Sequence, residues 1–243
     1  MEDETKKLNN TYPTFDFATG EVLLVDKPLG WTSFDVVNKI RNALKPLKLK
    51  VGHAGTLDPL ATGLLIVCTG KRTKTIDTLQ AQEKEYTGTF ILGATTPSYD
   101  RETPIDQYFD ISNMHPEAIE RAVKQFIGPI AQYPPPHSAV KVQGERLYEK
   151  ARRGEAITLE PRKVTIFAFE LTRIDLPEVD FRVVCSKGTY IRSLAHDFGK
   201  ALNNGAYLGA LRRTRSGDFH VTEAYDVLAL TDHIRSLKEQ MPH

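Results

Sequence analysis

The stretch VGHAGTLDPLATGLLIVCTGKRTK, residues 51–74, holds a lone acid, Asp58, between a glycine-bearing turn and a long apolar run. Gly52 and Gly55 permit backbone angles that strain other residues, and Pro59 fixes the exit angle, so the loop can hold one carboxylate in front of a strand. A side chain with an ordinary pKa of ~3.9 is ionised at neutral pH and can act as a base or a nucleophile. For an isolated Asp-Pro the default is a side chain that braces its own loop. A two-carboxylate glycosidase needs a second acid, which sequence alone does not identify. Phosphotransfer sites need further metal-binding acids, and DPLATG has none nearby. The chain has no P-loop, GxSxG, HExxH or dinucleotide fingerprint. His53 has no second ligand at close spacing, so a zinc role for it is not expected.

The elements around this loop follow from pattern. GEVLLVDKPLG reads as a strand closed by a Pro-Gly turn. Thr32 and Asp35 form a capping-box pattern that starts a helix over SFDVVNKIRNALK, with Val36, Val37, Ile40 and Leu44 on one face. GLLIVCTG reads as a buried strand, TKTIDTLQAQ as a short helix, and KEYTGTFILGATT alternates as a strand does. HPEAIERAVKQFIG is a helix between Pro116 and Gly128. Residues 128–158, with Pro134 to Pro136 and several basic residues, have the composition of a protruding arm, with a domain linker as the competing reading. RKVTIFAFELTRID and DFRVVCSKGTY are strand-rich, IRSLAHDFGKALNN is helical, LRRTRSGDFHVTEA is extended, and YDVLALTDHIRSLKE is a terminal helix. Strands and helices do not alternate in βαβ order. The expected class is therefore α+β, with a mixed, mainly antiparallel central sheet flanked by helices.

The chain has 243 residues, 40% hydrophobic and 26% charged, as in a soluble globular protein of one large or two small domains. No run approaches the ~18 apolar residues of a membrane span, and the polar start MEDETKKLNN is not a secretory signal. Residues 1–19 are expected to be a flexible tail. Cys68 and Cys185 lie in apolar strand-like runs without CxxC spacing and read as buried, reduced thiols, with a cytoplasmic location as the default. The net charge of +1 argues by itself against a nucleic-acid binder, but the charge is segregated. Residues 31–75 hold eight Lys/Arg against two acids, and 187–215 hold six against one. One basic face on a neutral protein suffices to track a phosphate backbone, although solvated helix faces explain the charge equally well.

GHAGTLDPLATGLLIVCTGKRTK resembles the catalytic motif of the TruB family of tRNA pseudouridine synthases. The similarity continues through LLVDKPLGWTSFDVV, KEYTGTFILG, PPPHSAVKVQGERLYEKARRGE, SKGTYIRSLAHDFG and GAYLGALRRTRSGDF, in the family's order, over about residues 20–220. The resemblance implies the pseudouridine synthase catalytic fold over 20–230, with an RNA-binding arm inserted at about 128–158. It implies isomerisation of the T-loop uridine, position 55 of tRNA, by extruding the base, breaking its bond to C1′ and rejoining it through C5, with no metal or cofactor needed. Asp58 takes the place of the catalytic carboxylate, whether it attacks C1′ or removes a ribose proton. Arg192 matches the arginine paired with it, and a guanidinium favours the ionised form of a carboxylate and fixes its geometry. Tyr86 matches the active-site tyrosine, a ring that can stack on uracil and exchange a proton. Tyr190 and Leu211 match residues of the uridine pocket. His53 matches the residue that fills the gap left by the extruded base. Lys141, Arg146, Lys150, Arg152 and Arg153 of the arm would meet phosphates, with recognition mainly of T-loop shape.

Three features depart from the family pattern. His137 stands where the arm often has Tyr, Asp100 lacks its usual following glycine, and the chain ends soon after TDHI. From the last we expect residues 231–243 to be a helix and tail, without the common C-terminal RNA-binding domain. The expected partner is the tRNA T-arm, with no guide RNA and no membrane, and the expected state is a monomer. Two alternatives use the same basic face: a folding factor that grips the tRNA elbow, and a synthase acting on another RNA with a T-loop-like hairpin.

Overall fold

In the run Val22–Lys27 every second side chain is buried, which makes strand β1 and turns Lys27 to the same inward face as Leu23 and Val25. The computed structural model describes residues 15–17, 19–45, 47–136, 141–142, 145–146 and 160–239, with backbone alone at 141–142, 145–146 and 238–239. Helix α1 (Ser33–Ala43) starts on the expected capping box: Thr32 Oγ1 accepts from Asp35 N at 3.0 Å, and Thr32 N donates back to Asp35 at 2.8 Å. Strands β2 (Val51–His53) and β3 (Ala61–Thr69) form a hairpin around the Asp58 loop. β3 is buried along nearly its whole length because both faces are covered. Leu65 and Val67 pack with α1, whereas Leu64, Ile66 and Cys68 face Ile76 and Leu79. These last two belong to α2 (Ile76–Ala81), which follows a 3-10 turn over Gly70–Thr75.

The remaining elements are β4 (Lys84–Leu92), β5 (Ala94–Thr95), β6 (Gln107–Tyr108), α3 (Pro116–Val123), β7 (Gly128–Gln132), β8 (Lys141–Val142), β9 (Glu145–Arg146), β10 (Arg162–Asp175), β11 (Glu178–Cys185), α4 (Ile191–Ala201), β12 (Ala206–Ser216), β13 (Phe219–His220), β14 (Tyr225–Asp226) and α5 (Val227–Glu239). The main sheet runs β14-β1-β3-β12-β4-β11-β10-β7, with β2 on β3 and β13 on β12. Only β14–β1 and β12–β3 are parallel among these pairs, so the sheet is mixed and mainly antiparallel, as expected. α3 and α4 bury Ile119, Val123, Leu194 and Phe198 against β4, β10, β11 and β12. α1 and α5 cover β1 and β3.

Two boundaries differ from expectation. Gly128–Gln132 pairs with Arg162–Ile166 at the edge of the main sheet, so an arm cannot begin at residue 128. At the other end, Phe17 is buried and Phe15 lies 5.2 Å from it, 6.3 Å from Tyr225 and 6.1 Å from His233, ring centre to ring centre. Burying two aromatic rings offsets the entropy of ordering a short segment, so residues 15–17 are docked rather than part of a tail. Cys68 and Cys185 are buried thiols on β3 and β11, and burial pushes Cys185 up to about 12. No described helix is long and apolar enough to cross a membrane.

Candidate active site

The loop between β2 and β3 is held by alternate carbonyls. Gly55 O accepts from Arg213 Nη2 at 3.1 Å, Leu57 O from Ser33 Oγ at 3.1 Å, and Pro59 O from Gly30 N at 2.8 Å and Lys27 Nζ at 3.4 Å. Ser33 also accepts from Leu57 N at 2.9 Å. Arg213, Ser33 and Lys27 are all buried. These three side-chain donors lie on the inner side, whereas the side chain of Asp58 is 43% exposed. Gly55 turns the chain with φ +97°.

Asp58 meets Arg192, whose Nε lies 3.0 Å from Oδ2. Arg192 is the second residue of α4 and is 5% exposed, which excludes a solvated helix charge. A buried cation in the first turn of a helix is unfavourable against the helix dipole, so it needs anions close by. The buried Asp100 carboxylate lies 3.8 Å from Nε, and Ser98 O accepts from Nη1 at 3.3 Å. Tyr86 on β4 is 8% exposed and stands in register with Arg213 on β12. Burial pushes the Tyr86 phenol up, so it is neutral at physiological pH. Tyr190, which caps α4, is fixed through its backbone. Gln132 accepts from Tyr190 N at 2.8 Å and donates to Tyr190 O at 3.0 Å. Leu211 is half-buried on β12 between Ala61 and Gly88.

Asp58, Tyr86, Tyr190, Arg192 and Leu211 all line one cavity of about 700 Å³. Exposed Arg162, Lys163 and Lys187 stand at its wall, so the start of the basic segment 187–215 meets two further cations there. The space fits a nucleotide-sized ligand, with an anion and a buried cation at one side and aromatic surface at another. His53 is half-buried on β2, is not among the residues lining this cavity, and is kept neutral by burial and by Arg213. Lys141 and Arg146 pair through their backbones in the β8–β9 hairpin. Their side chains, together with His137, Lys150, Arg152 and Arg153, lie outside the described residues.

Lys27, Ser33, Gln132 and Arg213 were not singled out by sequence reasoning. For Lys27 a signal existed: strand alternation assigns it to the inward face, where a lysine needs carbonyl partners. Its ammonium donates to Trp31 O at 2.6 Å and Pro28 O at 3.0 Å besides Pro59.

Comparison with known proteins gives a consistent result. Residues 41–191 match the model of the TruB family pseudouridylate synthase N-terminal domain, and residues 192–242 match that of a tRNA pseudouridylate synthase B C-terminal domain. The boundary between the two falls inside α4, and β12 of the second segment lies between β3 and β4 of the first. The chain is 59% identical over 225 residues to tRNA pseudouridine synthase B of Flavobacterium johnsoniae, covering 90% of this chain and 98% of that protein. It is 55% identical over 207 residues to the protein of the same name in Parabacteroides distasonis, covering 84% and 88%. Among solved structures it is similar to a chain of a Cbf5-Nop10-Gar1 complex, with TM-score 0.70 and 33% identity over 93% of this chain. A chain of the archaeal box H/ACA sRNP Nop10-Cbf5 complex gives TM-score 0.66 and 30% identity over 92%. The chain spans 58% and 56% of the length of those two structures' chains.

Proposed function

The chain belongs to the TruB family of pseudouridylate synthases, and from that membership we propose how its cavity converts uridine to pseudouridine in tRNA, with the T-loop uridine at position 55 as the target. The reaction exchanges one bond for another at the same sugar carbon. The N1–C1′ bond breaks, the C1′–C5 bond forms, N1 gains a proton and C5 loses one. Nothing is oxidised or reduced.

Asp58 is the group that acts on the ribose. A carboxylate can attack C1′ or take the proton from C2′, and both routes need it ionised and fixed beside the sugar. The carbonyl clamps on Gly55, Leu57 and Pro59 support that placement, as does the 3.0 Å contact with Arg192. Tyr86, neutral and buried, offers the extruded uracil a stacking face and a hydroxyl. Leu211 supplies an apolar contact and Tyr190 a second aromatic wall. Extruding the base costs a few kcal/mol of stacking, and His53, flat and neutral, takes its place in the RNA stack. Arg162, Lys163 and Lys187 meet the phosphates of the T-arm, together with Lys141, Arg146, Lys150, Arg152 and Arg153. The enzyme works as a monomer, without a guide RNA, in the cytoplasm.

The single observation behind this reading is the convergence of Asp58, Arg192, Tyr86, Tyr190 and Leu211 on one cavity. The test is tritium release from a T-arm RNA labelled at uridine C5, using the wild-type chain and Asp58→Asn. Wild-type chain should release tritium from the T-loop uridine alone, and the variant should bind the RNA and release none. Release by the variant overturns the role of Asp58, and release from another position overturns the target.

A further inference from the structure

Behind the Asp58–Arg192 pair, the loop between β5 and β6 reverses at Tyr99, which takes a left-handed backbone with φ +64°. Such a conformation is disfavoured for a bulky residue and persists where the surroundings fix it. The Tyr99 ring lies flat on the His196 imidazole, with centres 3.8 Å apart and planes 8° from parallel. Burial and the nearby Lys200 push His196 down to about 4, so two neutral rings meet. Tyr99 O accepts from Leu208 N at 2.9 Å, on the part of β12 that precedes its pairing with β3 at Leu211.

The residues on either side of Tyr99 face Arg192. Ser98 O lies 3.3 Å from its Nη1, and the Asp100 carboxylate lies 3.8 Å from its Nε. Arg192 and His196 are four residues apart on α4 and so lie on one face, a turn apart. That face grips the loop twice, once through the guanidinium and once through the ring. Other bonds, Thr96 Oγ1 to Asp100 O at 2.6 Å and Ser98 to Thr103 at 2.8 Å between hydroxyls, are internal to the loop. They set its shape but not its distance from α4. A cavity of about 670 Å³ opens beside both rings, so trimming either one leaves solvent-accessible space rather than a buried void.

We infer that Tyr99 and His196 are a positioning pair for the reaction, their stack seating the loop that holds Arg192 against Asp58. This rests on the roles of Asp58 and Arg192 given above. Tyr99→Ala and His196→Ala are each expected to lower kcat on tRNA about 3- to 10-fold, the range one aromatic pair spans, with KM changed by less than about twofold. Tyr99→Phe and His196→Phe keep a flat face and should retain wild-type kcat. The double alanine variant should be no slower than the worse single one, because each single change already removes the stack. Should an alanine variant melt below the assay temperature, Tyr99→Leu, bulky but not flat, replaces it with the same expectation. Unchanged kcat in the alanine variants, equal impairment in the phenylalanine variants, or a loss confined to KM overturns the inference. Arg192→Met is run in parallel. If it keeps full kcat, the role of Arg192 fails; if it is inactive while Tyr99→Ala is unimpaired, only the positioning pair fails.

Discussion

Asp58→Asn and Arg192→Met should both abolish product, yet they should differ sharply in stability. The Asp58 side chain is 43% exposed, whereas those of Arg192 and Asp100 are 6% and 7% exposed. Asparagine at position 58 removes one partner of a half-exposed ion pair, a contribution screened to about 0.2–1 kcal/mol. Arg192 keeps Asp100 and the Ser98 carbonyl in that variant, so no buried charge is stranded. Methionine at position 192 instead leaves Asp100 buried without its cation, a change of about 3–5 kcal/mol. With a urea m-value of about 2–3 kcal/mol/M for a chain of this size, the midpoint should fall by less than about 0.5 M for Asp58→Asn and by about 1–2.5 M for Arg192→Met. Activity should fall at least about 100-fold in Asp58→Asn, the lower end of what a proton-transferring or nucleophilic group supplies. The measurements are urea denaturation followed by circular dichroism, and tritium release from labelled tRNA at a temperature where both variants are folded. If Asp58→Asn is destabilised as much as Arg192→Met, Asp58 is the loop brace that an isolated Asp-Pro suggests, and the reasoning fails. Retained activity refutes it equally.

Burial pushes the Lys27 ammonium down from 10.5 to about 8, against the pull of Asp58, and Lys84 is pushed to about 8 in the same way. Between about pH 8 and 10.5 the unfolded chain binds more protons than the folded one, so these two groups make stability rise with pH across that window. Loss of a Lys27 proton weakens its hold on the Pro28, Trp31 and Pro59 carbonyls; kcat should therefore fall above about pH 8 without a matching fall in melting temperature. A flat kcat up to pH 10 contradicts this. Gly63 has φ +102°, and an added Cβ would lie 2.3 Å from Arg213 O, so Gly63→Ala should cost about 3–5 kcal/mol in denaturant titration and displace Arg213. Replacing Arg162, Lys163 and Lys187 together with Gln should make the slope of log affinity for tRNA against log salt less steep by about 2–3. An unchanged slope removes that wall of the cavity from the RNA path.

Much of the site was legible in local sequence. The glycine turn, Asp58 and Pro59 specify a rigid loop, and Thr32 with Asp35 specifies where α1 starts, because capping and turn geometry involve residues only a few positions apart. The continuous apolar run of β3 announces a strand covered on both faces. Tertiary structure alone decided which charges turn inward. Arg192 lies in a helix start and Arg213 in an RRTR run, and nothing in their spacing distinguishes a buried clamp from a solvated charge. They are buried because strand pairing and helix packing bring Asp58, Asp100 and the Gly55 and Leu64 carbonyls to them from distant parts of the chain. The same holds for residues 128–132, whose composition suggests an arm but whose backbone completes a sheet edge with β10. Periodicity is a property of neighbours along the chain, whereas compensation of a buried charge is a property of neighbours in space.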